Sequence, residues 1–123
     1  MEIYNVKALV YKTLKAIPEL SYVSAFYPDE FAKFPTAIYK TTQASYIRNN
    51  KQEETDTEWN ITIDLYNDNN ESLTQIKNEL IAKFSAMGFS NSVGDQDLNG
   101  ISRVVLVFTG IVDNTSKHVY QKG

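Results

Sequence analysis

The sequence predicts a single α+β domain in the order α-β-β-β-α-β, a mainly antiparallel sheet with two helices packed on it. Three observations lead there. Apolar residues recur at steps of three and four in two separate stretches, a third stretch alternates with a period of two, and a β-branched run lies near the C-terminal end. At 123 residues and 14.0 kDa the chain has the size of one domain, so residues 1–123 are read as one unit. Such a domain buries about two-thirds of the surface its unfolded chain exposes, enough to stand without staples.

The first helix rests on Ile3, Val6, Leu9, Val10, Leu14 and Ile17, which fall on one stripe, with Lys7, Lys12 and Lys15 kept off it. Pro18 closes it, because a residue before proline is pushed out of the helical region. A short apolar stretch follows (Tyr22, Val23, Phe26), then YPDEFAKFP, whose Pro and Asp mark an irregular connection and whose Phe31 and Phe34 are expected to plug the edge of the core. Thr36 to Ile47 and Thr57 to Tyr66 read as strands. The second sets Trp59, Ile61, Ile63 and Leu65 against Glu58, Asn60, Thr62, Asp64 and Tyr66. Between them, residues 48–56 are polar throughout and are expected to form a protruding hairpin loop.

After NDNN, Asn69 or Asn70 is a candidate N-cap, with Ser72 and Gln75 as a capping-box alternative. The second helix carries Leu73, Ile76, Leu80, Ile81, Phe84 and Met87 on one stripe and ends at Gly88, suited to a left-handed C′ position. The last strand, Ile101 to Val112, is apolar on both faces, so it is expected to lie centrally and to be covered on each side. Residues from about 115 to 123 are expected to form a mobile tail.

Few kinds of chemistry suit these residues. There is no cysteine, so thiolate metal sites and disulfides are excluded. The only histidine, His118, stands in a polar stretch near the end and reads as a surface residue. DQDLNG (95–100) matches the first half of a calcium loop, but the position that needs a bidentate carboxylate is Leu106, so an acidic β-turn is expected. No Gly-rich phosphate loop is present, and no cofactor, metal or catalytic residue is assigned. An enzyme would have to work with carboxylates and tyrosines alone.

The net charge of −3 is unevenly spread: residues 1–47 carry +1, residues 48–71 carry −5 and residues 72–123 carry +1. Nucleic-acid binding by phosphate neutralisation needs the opposite balance, so no sequence-specific nucleic-acid partner is expected. No stretch approaches the roughly 18 apolar residues of a membrane span, and no membrane partner is expected. Glu53, Glu54, Asp56 and Glu58 form the acidic part of the middle segment, read as a solvated loop or an electrostatic contact surface. Eight Tyr, six Phe and one Trp make the chain aromatic-rich, and tyrosine favours interfaces. Tyr39 and Tyr66 are the expected aromatic contacts, and Arg48 and Lys51 the expected contacts at the hairpin.

The phrases FPTAIYKTT (34–42), WNITIDLYNDN (59–69), MGF (87–89), RVVLVFTGIVD (103–113) and HVYQK (118–122), in this order around one helix, resemble the small tail-completion, tail-terminator or head–tail joining proteins of long-tailed, siphovirus-type bacteriophages. The likeness spans nearly the whole chain, and none of the phrases is a catalytic signature. It implies a non-enzymatic subunit assembling with itself as a ring, commonly of six copies, against tail-tube or head-connector proteins, with DNA passing through the lumen. It also implies a host-cytoplasmic location during assembly and a place in the virion afterwards. An acidic lumen would repel a sliding genome. The alternative is a small protein-binding adaptor or regulatory module without catalysis.

Overall fold

The computed structural model describes residues 2–27, 33–68, 72–98 and 101–119. Its elements run α1 (Val6–Lys15), β1 (Tyr22–Ser24), β2 (Thr36–Arg48), β3 (Glu54–Asn67), α2 (Thr74–Met87), β4 (Ser90–Leu98), β5 (Ile101–Asp113) and β6 (His118–Val119). The expected α+β plan holds. Every strand pairing is antiparallel except that of β1 with β2, and the sheet order is β1-β2-β3-β5-β4, with β6 also paired to β5.

Helix α1 begins where the side chain of Asn5 accepts the Ala8 N–H at 3.0 Å, satisfying one of the orphan donors of the first turn. It buries Val6, Val10, Thr13 and Leu14, the predicted stripe plus one threonine, whose hydroxyl donates to the Leu9 carbonyl at 2.8 Å. Asn69 and Asn70 lie outside the described residues, and it is Ser72 that accepts the Thr74 N–H, at 3.1 Å, ahead of α2. Gly88 takes φ 107°, as its place after the last apolar residue predicts. Phe31 also lies outside the described residues, while Phe34 is half-buried.

Period-two alternation builds the core face of the sheet in rows. Ala37, Leu65 and Val104 stand side by side across β2, β3 and β5, followed by Tyr39, Ile63 and Leu106, then by Thr41, Ile61 and Phe108. Both helices lie on this face, since their buried residues join these rows in one cluster. Phe84 of α2 stacks on Phe108 with ring centroids 4.6 Å apart and meets Phe89 edge-on at 6.0 Å. Each fully buried large apolar side chain contributes about 1.5–3 kcal/mol relative to exposure.

Two expectations about β5 part company here. It is central, between β3 and β4, but it is not covered on each side by helices. Val104, Leu106, Phe108 and Val112 are buried beneath the helices, whereas Val105, Val107 and Ile111 point away and are half-buried. An apolar strand reports that neighbours shade it, which does not require a helix on each face. The segment read as a turn, 95–100, also differs. Asp95 to Leu98 continue β4, which pairs with β5 from Ser90 opposite Thr109 to Leu98 opposite Ile101, while Asn99 and Gly100 lie outside the described residues. Residues 118 and 119, in the stretch expected to be a tail, pair with Asp113 and Val112.

Gly110 is fixed by packing. A Cβ there would sit 2.7 Å from Phe89 Cδ1 and 2.8 Å from Val119 Cγ1. Gly110→Ala is expected to cost about 1–3 kcal/mol through overpacking. Urea denaturation checks it, and an unchanged midpoint would show that β6 and Phe89 yield without penalty.

Candidate interaction surface

The β2–β3 hairpin is longer in its strands and shorter in its loop than the polar stretch suggests. Pairing runs out to Arg48 opposite Glu54, past an irregularity after Ser45, so the loop is residues 49–53. Asn49 organises it: its side-chain oxygen accepts the Lys51 N–H at 2.9 Å and the Glu53 N–H at 3.0 Å, an Asx-type turn. Gln52 takes φ 62°, and its carbonyl accepts from the Arg48 guanidinium at 3.0 Å. Arg48 also pairs with Glu54 at 3.7 Å. Arg48 and Lys51 are exposed at the hairpin end, as a contact role requires.

The four acidic residues do not form one projecting loop. Only Glu53 belongs to the loop; Glu54, Asp56 and Glu58 are part of β3. Asp56 lies opposite Asp113 and Glu58 opposite Ile111, on the face turned from the helices, where Asp64 also lies. Asp56 is buried, Glu54 is engaged with Arg48, and Glu58 is half-buried.

The two tyrosines expected as contacts are both inside. Tyr39 is 8% exposed and packs on Tyr11 with ring centroids 6.1 Å apart, and Tyr66 is 7% exposed with the Arg103 guanidinium 5.6 Å over its ring. The aromatic surface is elsewhere, at Tyr11, Tyr22, Phe26, Tyr27 and Tyr46. Tyr22 lies in β1 and Tyr46 at the hairpin end of β2, Tyr11 is on α1, and Phe26 and Tyr27 follow β1. A groove lined by Lys7, Tyr11, Lys15 and Tyr39 runs beside α1.

At the end of the sheet away from the hairpin, Tyr27 donates its hydroxyl to the Asp64 carboxylate, and Arg103 donates to the other oxygen of Asp64 at 3.2 Å. The hydrogen bond to Asp64, then burial, then the carboxylate charge push the Tyr27 phenol well above its ordinary value of 10.0. Burial, followed by Asp64, also raises Tyr66. A phenol with a raised folded-state value contributes stability that is complete below pH 10.0 and is lost as the pH climbs beyond it. Asp64→Asn is expected to lower the Tyr27 phenol toward its ordinary value, so ultraviolet difference spectra should show tyrosinate appearing at lower pH than in the unsubstituted chain. Superimposable titrations of the two proteins would contradict the contact.

One polar residue that sequence reading passed over proves structural. Asn114 is buried, and its amide group ties three parts of the chain together. Its oxygen accepts the Tyr4 N–H at 3.1 Å, and its nitrogen donates to Thr57 Oγ1 at 3.0 Å and to the Glu54 carbonyl at 3.3 Å. Its position just after a β-branched run was the available signal.

Among the described residues no group of three or more His, Asp or Glu is placed to hold a metal ion. His118 is exposed in β6. Among the described residues, no helix is long and apolar enough to cross a membrane. Comparison with known protein families, curated proteins and solved structures finds no match to this chain.

What the molecule offers instead is strand edge. β1 pairs with β2 only from Thr36 to Ile38, so beyond Ile38 the outer side of β2 has no strand partner among the described residues. The outer side of β4 likewise has none. Such edges present rows of unpaired N–H and C=O groups to another chain.

Proposed function

We propose that this chain is a structural assembly protein of a bacteriophage or prophage head–tail junction, a tail-completion or tail-terminator subunit that forms a ring, of about six copies on the family likeness, with DNA passing through the lumen. One observation carries the assembly part of this reading: among the described residues the sheet ends on two strand edges without a partner, and large apolar side chains stay exposed along them. Support for the phage part is the order of the family-like phrases, which fall on β2, β3, the end of α2, β5 and the region of β6.

Its partners are then copies of itself and tail-tube or head-connector proteins, met in the host cytoplasm and retained in the virion. Size-exclusion chromatography of the purified chain, alone and with the tail-tube protein encoded nearest to it, tests this. Rings or capped tubes are expected. A monomer that ignores tubes would favour the second reading, a protein-binding adaptor, for which Phe26, 78% exposed beside the sheet, is the favouring observation.

Within the ring reading, the face bearing Glu58 and the loop bearing Glu53 line the lumen and keep the genome from adhering. Asp56 and Glu54 contribute less, being buried and paired. The double variant Glu53→Gln, Glu58→Gln is expected to assemble normally and to retain DNA on a column that the unsubstituted ring does not. Unchanged infectivity with no DNA affinity would remove the lumen assignment, and failed assembly would point to a basic neighbour instead.

A further inference from the structure

We propose that copies of this chain join head to tail through their sheets, the outer edge of β2 (residues 40–48) pairing antiparallel with the outer edge of β4 of the next copy, with Ala44 opposite Gly94. This rests on the reading that the chain assembles with itself, and adds which surfaces meet and in what register.

Length, direction and face all agree. β4 is 9 residues long, enough to span the regular stretch of β2 from Lys40 to Ser45 and the irregular end beyond it to Arg48. Each of the steps β2 to β3, β3 to β5 and β5 to β4 is antiparallel, so β4 runs opposite to β2. Copies kept in one orientation therefore present antiparallel edges to each other. Ala44 stands opposite Glu58, and Gly94 opposite Val105, both on the face turned from the helices. Pairing them keeps the helices of successive copies on the same side. Open space surrounds Gly94, with nothing within 4 Å of a Cβ built there.

The edges also carry matching apolar side chains. Tyr46 and Ile47 are 54% and 43% exposed on one edge, and Val93 is 38% exposed on the other. Natural sheets blunt open edges with proline, central charges or bulges; residues 41–45 contain none of these, and the irregularity of β2 comes only after Ser45. An edge left unguarded in this way is one that a partner covers.

The register also has a geometric consequence. Within one copy Ala44 is level with Glu58 and Gly94 with Asp64, through Val105. Joining Ala44 to Gly94 of the neighbour therefore offsets successive copies by six residues, about 20 Å along the strands. The four strands β2, β3, β5 and β4 span about 19 Å across, so the strands incline by roughly 45° to the ring axis. Inclination of that size is what closing a sheet on itself requires.

The chain has no cysteine, so introduced thiols report on one contact alone. Ser45 and Val93 are exposed and lie opposite each other in this register, so the folded monomer tolerates both changes. Ser45→Cys and Val93→Cys, mixed and oxidised, are expected to give a disulfide dimer, and the double variant a ladder ending at the ring, both dissolved by reductant. Each single variant alone should stay monomeric on a non-reducing gel. Dimers from Ser45→Cys alone, as abundant as from the mixture, would overturn the head-to-tail arrangement in favour of a two-fold β2–β2 contact. Rings of the unsubstituted chain by sedimentation, with no variant cross-linking, would overturn the edge pairing and leave assembly standing. A chain that neither self-associates nor caps tubes would overturn both.

Discussion

Phe84→Ala is expected to lower the unfolding free energy by about 3–5 kcal/mol, the cost of truncating a buried aromatic residue and leaving a cavity. Phe84 is fully buried and is the point at which α2 meets the sheet, stacked on Phe108 at 4.6 Å with Phe89 closing the other side. The site cannot collapse easily, because Phe108 is held in its row by Ile61 of β3 and Phe89 by the helix stop at Gly88. A domain of this size has about 5–15 kcal/mol in all, so the variant should unfold at a far lower urea midpoint or fail to fold. A loss below about 1 kcal/mol would mean that α2 is not held through this contact.

Asn114→Ala should cost about 2–3 kcal/mol for a different reason. The variant leaves the Tyr4 N–H and the Glu54 carbonyl without the partner that satisfies them, and stranded buried polar groups cost about 1–3 kcal/mol each. The effect should be local as well as global. The residues before α1 are pinned to the sheet through Tyr4, so amide exchange at Tyr4 should accelerate in Asn114→Ala more than in Phe84→Ala. Equal acceleration in the two would assign Asn114 to general packing.

These residues show where the fold could be read in advance and where it could not. Both helices carry their apolar residues at helical spacing, and β3 alternates without a break from Trp59 to Leu65, so local pattern and tertiary burial agree there. β4 escapes such reading, because SNSVGDQDL offers only Val93 and Leu98 as apolar residues. It is a strand because β5 supplies a ladder, and its own side chains say little. The Asn99-Gly100 dipeptide ahead of the β5 run is a hairpin signal, whereas the acidic residues before it suit a turn as well as a strand.

Residues 54–56 are a second case. They are as polar as a loop, yet β2 extends to Arg48 opposite Glu54 and β5 to Asp113 opposite Asp56. Tyr39 and Tyr66 are a third. Ile38 and Tyr39 are both large and apolar, so β2 alone does not reveal which face is covered, and α1 decides it by placing Tyr11 against Tyr39. Tyr66 is on the face turned from the helices and is buried all the same, beneath Arg103 from the strand beside it. The candidate surface was least legible of all, because an edge is defined by which strands are absent next to it.

Amide hydrogen exchange followed along the chain, in dilute monomer and in the assembled state, examines whether the open edges are where copies meet. Residues 40–48 and 90–98 should become strongly protected on assembly, while the hairpin loop at 49–53 and the outer face of α1 keep their monomer rates. Unchanged exchange along both edges in a fully assembled sample, with new protection on the helices, would contradict it.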